Sequence, residues 1–237
     1  MSVVDRGGAL TLDGNLPEQN APTLQVPRTE SKFALGGRLK RITDIVLASV
    51  ALIAFSPLFL MVAYSVKRTS SGPLFYGHKR IGLGGKEFKC LKFRTMCVNG
   101  DAVLRRYFDA NPEALVEWQE THKLKNDPRV TRIGRVLRRY SVDELPQLLN
   151  VIKGDMSVVG PRPVVTEELL RYGDAAQLYY SARPGITGLW QVSGRSDTSY
   201  ETRVELDTVY VENWSLAADC RIMIRTIPAV IGSSGSY

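Results

Sequence analysis

An uncharged apolar segment, Ile45–Val66, interrupted at its centre by Ser56-Pro57, restricts the fold more than any other part of the sequence. Its 22 residues could span a bilayer as one straight helix, for which about 20 apolar residues suffice. Proline removes a backbone donor and clashes with the preceding helical turn, so a sharp bend is expected at this dipeptide. The segment therefore predicts two half-helices of about 11 residues, each about 16 Å long, or roughly half the hydrocarbon thickness.

Basic residues flank this apolar segment on both sides. They are Arg38, Lys40 and Arg41 before it, and Lys67, Arg68, Lys79 and Arg80 after it. A spanning helix carries its lysine and arginine mainly on the cytoplasmic side, so symmetric flanks favour a helix pair that enters and leaves by one face. We predict a re-entrant membrane helix; a kinked full span and a buried core helix of a soluble protein remain alternatives.

The apolar segment divides the chain into three predicted regions. Residues 1–37 are polar, carry Pro17, Pro22 and Pro27, and show no hydrophobic periodicity, which predicts a disordered tail. Residues 38–68 hold the re-entrant membrane helix, and residues 69–237 are predicted to form one further domain that can bury a good core.

This further domain is predicted to be mainly α-helical with a small β-hairpin. Leu74–Ile81 and Lys86–Phe93 are typical of two strands joined by a glycine-rich turn. Helical patterns cover residues 101–125 (interrupted at Pro112), 130–139, 142–152, 167–182, 201–214 and 216–231. The last of these alternates apolar runs with Arg221 and Arg225, which suits an interfacial amphipathic helix and equally a core helix.

Charge and composition narrow the classes of partner and site. The net charge of +7 indicates an anionic partner such as nucleic acid, a lipid surface or a phosphorylated substrate. Because the charge is spread along the chain and no nucleic-acid-binding module is recognisable, no nucleic-acid partner is predicted. Three widely spaced cysteines and two histidines argue against a disulfide framework, a zinc site and a histidine-rich metal site.

The residues best suited to chemistry lie between Ser141 and Pro163. Asp143 and Glu144 adjoin on a predicted short amphipathic helix, and Gly160-Pro161-Arg162-Pro163 follows. In phosphoryl transfer through an acyl phosphate, one carboxylate attacks, the other holds a divalent cation, and an arginine takes phosphate charge. The alternative is structural, because Ser141-x-x-Glu144 fits a capping box and acidic residues favour a helix N-terminus.

Basic residues surround this acidic pair in the sequence. A strip recurs at every third position before it, formed by Arg129, Arg132, Arg135 and Arg138, with Arg139 beside them. On a helix this strip binds phosphate or anionic lipid, or is only a solvated basic face, and both interpretations stay open. Further candidates to hold a diphosphate are Lys92, Arg94 and Arg162. A glycine- and aromatic-rich loop at residues 188–195 suits the lining of a nucleotide or sugar pocket.

Six motifs, in this order, resemble those of the bacterial sugar transferases, the small monotopic phosphoglycosyl transferases. They are Lys40-Arg41-x-x-Asp44, Ser56-Pro57, Lys92-Phe93-Arg94-Thr95-Met96, Asp143-Glu144-Leu145-Pro146-Gln147-Leu148, Gly160-Pro161-Arg162-Pro163 and Arg183-Pro184-Gly185-Ile186-Thr187-Gly188. The resemblance covers residues 38–237. Within the family the chain is most similar to the exopolysaccharide-initiating undecaprenyl-phosphate galactose phosphotransferases.

This resemblance implies an enzyme of the bacterial inner membrane with its catalytic domain, residues 69–237, on the cytoplasmic face. Such an enzyme transfers a hexose-1-phosphate from a uridine-diphosphate (UDP) sugar to undecaprenyl phosphate and releases uridine monophosphate (UMP). The implied partners are the UDP-sugar, undecaprenyl phosphate and inner-membrane lipid; a homodimer is left open. UDP-galactose is the expected donor and UDP-glucose the alternative.

The resemblance also assigns roles to residues. It implies that Asp143 is the nucleophile that forms an aspartyl-phosphosugar and that Glu144 binds Mg²⁺. The residues implied to bind the substrates are Arg138, Arg162, Lys92, Arg94 and Arg195. A second class of function stays open, in which the protein is a membrane-anchored, non-catalytic interaction protein whose Asp143–Glu144 pair only caps a helix.

Overall fold

A computed structural model describes residues 34–121, 124–194 and 199–231 of the 237-residue chain. The predicted disordered tail lies outside these residues except for its last four positions. The helices are α1 (Gly37–Ala54), α2 (Ser56–Thr69), α3 (Gly100–Ala110), α4 (Pro112–Thr121), α5 (Arg132–Arg139), α6 (Gln147–Lys153), α7 (Thr166–Leu169), α8 (Ala176–Tyr180), α9 (Leu189–Val192), α10 (Tyr200–Glu212) and α11 (Leu216–Ile231). The strands are β1 (Phe75–Ile81), β2 (Glu87–Phe93), β3 (Ser157–Val159) and β4 (Gly185–Thr187). The prediction of a mainly helical protein with a small hairpin is confirmed.

The apolar segment forms the bent helix pair α1–α2, with a bend of 65° between the axes. The Ser56 hydroxyl donates to the Ile53 carbonyl at 2.8 Å, and Pro57 lies in the first turn of α2. Proline is tolerated there because a backbone N–H in a first turn has no partner within the helix. The predicted break is confirmed. Among the described residues, only the two helices taken together, and no single helix, have the length and composition to cross a membrane.

The first turns of α1 join the helix pair to the rest of the protein through a buried ion pair. The Lys40 ammonium contacts the Asp219 carboxylate of α11 at 2.7 Å, and both side chains are almost fully buried. Asp219 also accepts hydrogen bonds from the Tyr210 hydroxyl at 2.8 Å and the Trp214 indole N–H at 3.1 Å. Because its charge is offset and its oxygens are hydrogen-bonded, this carboxylate can stay buried.

Two further polar residues of α1 hold α6, which follows the acidic pair in the chain, and the β3 strand. The Arg41 guanidinium donates to the carbonyl oxygens of Val151 and Ile152, at 2.5 and 2.7 Å, and so caps the C-terminus of α6. Asp44 accepts from the Ser157 hydroxyl at 2.9 Å and from the next backbone amide at 3.0 Å. Lys40, Arg41 and Asp44 therefore act as structural anchors between α1 and the rest of the protein.

The predicted hairpin is present and packs against α2. β1 and β2 are antiparallel, with Phe75 opposite Phe93 and Ile81 opposite Glu87. The rings of Phe59, Phe75 and Phe93 stack on one another at centroid distances of 4.8 to 6.0 Å. This aromatic contact fixes the hairpin beside the bent helix pair.

A second sheet, which the sequence analysis did not predict, pairs β3 with β4 in parallel. Ser157 lies opposite Gly185, and Val159 lies opposite Thr187. Gly160 makes the approach possible, because a Cβ at this position would lie 2.3 Å from the Arg183 carbonyl oxygen. The sheet thus brings the Gly160-Pro161-Arg162-Pro163 motif beside the motif that begins at Arg183-Pro184-Gly185.

Two predicted helices are in fact interrupted. Residues 142–152 form a 3₁₀ turn, Val142–Glu144, followed by α6, because Pro146 supplies no backbone N–H to a continuous helix. Residues 167–182 form α7, a 3₁₀ turn over Leu170–Ala175 and α8, with a break at Gly173, which has a left-handed φ of 51°. The other four predicted helical segments are confirmed, with bounds that differ from the predicted ones by at most four residues.

Candidate active site

Asp143 and Glu144 lie on a single tight turn rather than on a regular helix. Ser141 precedes this turn with φ of 54°, and it is the only non-glycine residue with positive φ in the described part of the chain. Its side chain makes no capping hydrogen bond, so the capping-box interpretation of this sequence is wrong. The turn buries Asp143 to 8% exposure.

β2 brings a lysine to this acidic pair. The Lys92 ammonium contacts Oε1 of Glu144 at 2.6 Å, and both side chains are about one-third exposed. The two residues are far apart in sequence, and the hairpin and the 3₁₀ turn must pack together for them to meet. Lys92 thus lies within the candidate site, as predicted from its sequence motif.

The neighbouring charges act on Asp143 in opposite directions. Burial raises the pKa of the Asp143 carboxyl above its usual value, and the charge of Glu144 adds to this rise. The charges of Lys92 and Arg138 oppose the rise. Burial lowers the pKa of Lys92, but its contact with Glu144 outweighs that effect and the pKa is raised. At neutral pH the site therefore combines a positive lysine with a carboxyl that is harder to ionise than a solvated one.

Arg138 is placed by the last turn of α5. Its Nε donates to the Thr95 hydroxyl at 2.9 Å, just beyond the end of β2. The other arginines of the predicted strip have two kinds of surroundings. Arg129 pairs with Asp127 at 2.6 Å and lies over the Trp118 ring, whereas three members are solvent-exposed, namely Arg132, Arg135 and Arg139.

Arg162 is held by contacts that the sequence analysis missed. Its backbone N–H donates to Oδ2 of Asp207 at 3.2 Å, and its guanidinium lies 5.0 Å from the centre of the Trp190 ring. Arg203 lies over the same ring at 5.1 Å. Two guanidinium groups thus share one indole ring beside the Gly160–Pro163 motif.

Asp207 was also missed, although its position in α10 carried a signal. It lies in line with Val204 and Val211, on the apolar side of the helix, where a charge is costly unless it is bound. Burial raises the pKa of Asp207 to about 7, against the hydrogen bond from the Tyr172 hydroxyl at 2.9 Å. This carboxyl fixes the backbone at Arg162.

Of the two remaining predicted substrate-binding residues, the structure describes only Arg94. Arg94 donates to the Ser70 carbonyl at 2.8 Å, and this bond joins the end of β2 to the segment that follows α2. Its Nε and Nη1 are buried with no hydrogen-bond partner in the described residues. Arg195 lies outside the described residues.

The turn that carries Asp143 and Glu144 suits a Mg²⁺ ion whose coordination is completed by the substrate and by water. No group of three or more histidine, cysteine, aspartate or glutamate residues in the described ranges could hold a metal ion by itself. Mg²⁺ is commonly held by only one or two carboxylates, with substrate phosphates and water completing its coordination. The carboxylate of Glu144 can therefore hold Mg²⁺ together with a diphosphate substrate, which leaves Asp143 for another role.

The chain is similar to known proteins along most of its length. The bacterial sugar transferase family matches residues 35–233. The exopolysaccharide production protein ExoY of Rhizobium meliloti is 61% identical over 203 residues, 86% of this chain and 90% of that protein. The undecaprenyl-phosphate galactose phosphotransferase of Salmonella typhimurium is 51% identical over 199 residues, 84% of this chain and 42% of the relative.

A more distant relative is named for a different sugar. The UDP-glucose:undecaprenyl-phosphate glucose-1-phosphate transferase of Caulobacter vibrioides is 40% identical over 206 residues, 84% of this chain and 72% of that protein. The resemblance found in the sequence motifs is thus confirmed, and this chain belongs to the bacterial sugar transferase family.

Proposed function

We propose that this protein is a phosphoglycosyl transferase that moves hexose-1-phosphate from a UDP-sugar to undecaprenyl phosphate, the first step of exopolysaccharide synthesis. The observation that carries the proposal is the buried Asp143 carboxylate next to the Lys92–Glu144 ion pair. The names of the similar proteins support this reaction class, since they include transferases of galactose and of glucose to a lipid carrier.

In the first half of the reaction, Asp143 acts as the nucleophile. A carboxylate oxygen attacks the phosphorus atom that bears the hexose, and a new carboxyl oxygen–phosphorus bond forms. The bond from that phosphorus to the UMP oxygen breaks, and UMP leaves with the bonding electron pair. The raised pKa of Asp143 supports this role because a poorly solvated carboxylate is the more reactive nucleophile.

In the second half, undecaprenyl phosphate takes the phosphosugar from the enzyme. One of its phosphate oxygens attacks the same phosphorus atom, and the bond to Asp143 breaks. The carboxylate of Asp143 is thereby restored, and the product is undecaprenyl-diphosphate hexose. No oxidation or reduction occurs, and the two half-reactions need only one site for the transferred phosphoryl group.

The basic residues counter the repulsion between an anionic nucleophile and an anionic diphosphate. Arg138 and Arg162 would hold phosphate oxygens, while Lys92 orients Glu144 and keeps the charge of the acidic pair partly offset. Bound Mg²⁺, held by Glu144 with Asp143 beside it, would neutralise diphosphate charge.

The exposed apolar surface supports a membrane location. In the helix pair α1–α2, the large apolar side chains that are more than half exposed are Leu39, Ile42, Val46, Val50, Ile53, Leu60, Met61 and Tyr64. Ile224 and Ile227 of α11 are exposed in the same way. Apolar surface of this extent is favourable in lipid and costly in water. We place the helix pair in the inner membrane as a re-entrant element, with the catalytic domain on the cytoplasmic face.

Galactose is the proposed hexose. Two relatives named for galactose transfer are 51% identical to this chain and a third is 36% identical, while two named for glucose transfer are 40% identical. The two sugars differ in the orientation of one hydroxyl group, which a few contacts in the pocket can discriminate.

The test is release of UMP by the purified protein with undecaprenyl phosphate and a panel of UDP-sugars. We expect UMP release with UDP-galactose at higher kcat/KM than with UDP-glucose, and none in excess chelator. Faster turnover of UDP-glucose would overturn the assignment of galactose but not the proposed reaction class. Absence of turnover with every UDP-sugar would favour the non-catalytic interaction protein.

A further inference from the structure

A cavity of about 430 Å³ adjoins the candidate active site and has no role in the mechanism above. It lies between the outer edge of β1 and the segment at residues 165–167. Both walls continue from elements of the site: Tyr76 of β1 is opposite Lys92, and the other wall begins two residues after the Gly160–Pro163 motif. The cavity is therefore joined to the acidic pair through Tyr76 of β1, whose partner Lys92 contacts Glu144.

The wall formed by β1 presents main-chain groups to the cavity. The Ile81 amide points away from β2, because it donates to the Val164 carbonyl at 2.9 Å. Residues in an antiparallel pair alternate between bonding the partner strand and pointing outward. Gly77 and Lys79 share the alternation of Ile81, so their N–H and C=O groups also point outward. Among the described residues, β1 pairs with no strand other than β2, so this edge is open to a ligand.

The charges around the cavity are largely offset. The Arg80 guanidinium contacts Glu168 at 3.2 Å, and the Lys79 ammonium lies 3.7 Å from Glu87. Glu167 adds a further carboxylate to the lining. Such surroundings offer a phosphate little net positive charge, whereas a neutral ring with hydrogen-bonding groups is well suited to them.

We propose that this cavity binds the uracil ring of the donor nucleotide, and that the main chain of β1 at Gly77 and Lys79 recognises the ring's imide edge. This inference rests on the proposed function, which makes a UDP-sugar the donor. Uracil presents a carbonyl, an N–H and a second carbonyl in a row, and the N–H and C=O of one extended residue match two of these groups. Methylation of the ring N–H removes the donor from this edge and blocks the same contact.

The distances agree with this placement. Directly opposite residues of an antiparallel pair have Cβ atoms about 5 Å apart, and each strand residue adds about 3.4 Å. Lys79 therefore lies roughly 10 Å along the strand from the position opposite Lys92. This spacing leaves room for the ribose between a diphosphate at the acidic pair and a base in the cavity. An added peptide strand fits less well, because Val164 already closes the edge at Ile81.

The first test compares nucleotides on the full-length protein in detergent. Isothermal titration calorimetry with UMP and 3-methyl-UMP measures the recognition of the imide edge directly. We expect 3-methyl-UMP to bind about tenfold or more weakly than UMP, because it loses the ring N–H and leaves a main-chain carbonyl unpaired. Equal affinity for UMP and 3-methyl-UMP, or no measurable binding of UMP, would overturn the inference.

The second test removes one main-chain donor. Lys79→Pro deletes an outward N–H without removing a bond between β1 and β2, because proline is tolerated on an edge that faces away from its partner strand. We expect UMP affinity to fall about three- to tenfold. Lys89→Pro is the matched control: Lys89 lies directly opposite Lys79, and its outward groups face away from the cavity.

A third variant keeps the inference falsifiable if either proline variant fails to fold. Thr166→Trp fills the cavity from the opposite wall, and we expect it to abolish UMP binding. UMP binding retained by Thr166→Trp would overturn the inference. If wild-type protein releases UMP from a UDP-sugar while these variants bind UMP normally, the inference fails and the proposed function stands. Absence of that release from wild-type protein is instead the failure of the proposed function.

Discussion

Charged residues are concentrated in two places: the N-terminal turns of α1, called here the foot of α1, and the 3₁₀ turn with Asp143 and Glu144, called here the acidic turn. The charges at these two places differ in how completely other groups satisfy them. At the foot of α1, Lys40 and Asp219 are almost fully buried and in direct contact, and further hydrogen bonds satisfy the carboxylate. At the acidic turn, Asp143 is buried while its neighbours Glu144 and Lys92 are partly exposed. At the foot of α1, both charged groups of the pair have their hydrogen-bond and ion-pair partners. At the acidic turn, the surroundings of the Asp143 carboxyl oppose its ionisation.

This difference separates anchoring from chemistry. A buried charge with a full set of partners contributes a fixed geometry, and it gains nothing from a further ligand. A carboxyl held next to another carboxylate, with cations close by, gains from the arrival of a cation or of a phosphoryl group. Substitutions at the two places should therefore affect different measurements, namely stability at the foot of α1 and turnover at the acidic turn.

The largest effect is expected from Asp143→Asn. Asparagine has the same shape but is a much poorer nucleophile, so UMP release should fall by about 10³-fold or more. Thermal unfolding should be unchanged or slightly improved, because the substitution removes a buried carboxylate. Turnover at the wild-type rate would show that the acidic turn is not the site of attack.

Lys40→Met should act on stability instead. It leaves Asp219 buried without its cation, which is expected to cost about 3–5 kcal/mol of unfolding free energy. The midpoint of thermal unfolding in detergent measures this loss. Lys153→Met is the control, because Lys153 forms an exposed pair with Asp155 at 3.3 Å and should cost less than about 1 kcal/mol. Equal effects of the two substitutions would refute the anchoring role.

Lys92→Met should displace the pH profile of turnover. The charge of Lys92 lowers the pKa of Asp143, so its removal should raise that pKa further. Because the nucleophile must be ionised, the acid limb of kcat/KM should then move to higher pH. Lys89→Met, an exposed lysine on the same strand, should leave the limb in place. A limb that stays fixed or moves to lower pH in Lys92→Met contradicts this electrostatic coupling.

The smallest effect concerns the backbone before the acidic turn. Ser141 has a left-handed φ of 54°, which glycine adopts without strain. Ser141→Gly should change stability by less than about 1 kcal/mol and retain turnover, while Ser141→Val should lose about 1–2 kcal/mol and most activity. Thermal unfolding and UMP release measure both. Full activity of the valine variant would show that this backbone conformation does not position Asp143.

The sequence predicted features that depend on local physics. The bend at Ser56-Pro57, the hairpin and most helices follow from proline chemistry and hydrophobic periodicity, and the structure confirms them. The parallel pairing of β3 with β4 was missed because three-residue strands carry too little periodicity to be recognised. The interruption at Pro146 was missed because the apolar pattern continues across it.

The residues of the candidate site were predicted from motifs, whereas most of their contacts were not. The meeting of Lys92 with Glu144, and the support of Arg162 by Asp207, both join segments distant in sequence. Such pairs depend on tertiary packing, which residue types alone do not specify. The cavity beside β1 likewise exists only because the hairpin edge and a distant loop face each other.

The central claim, a covalent intermediate on Asp143, is tested most directly by mass spectrometry of enzyme trapped with UDP-galactose in the absence of undecaprenyl phosphate. Acid quenching and proteolysis should give a peptide that contains Asp143 and carries one additional hexose-phosphate. The same peptide from Asp143→Asn should be unmodified. A hexose-phosphate on any other peptide, or steady turnover with no adduct on wild-type enzyme, would contradict the claim.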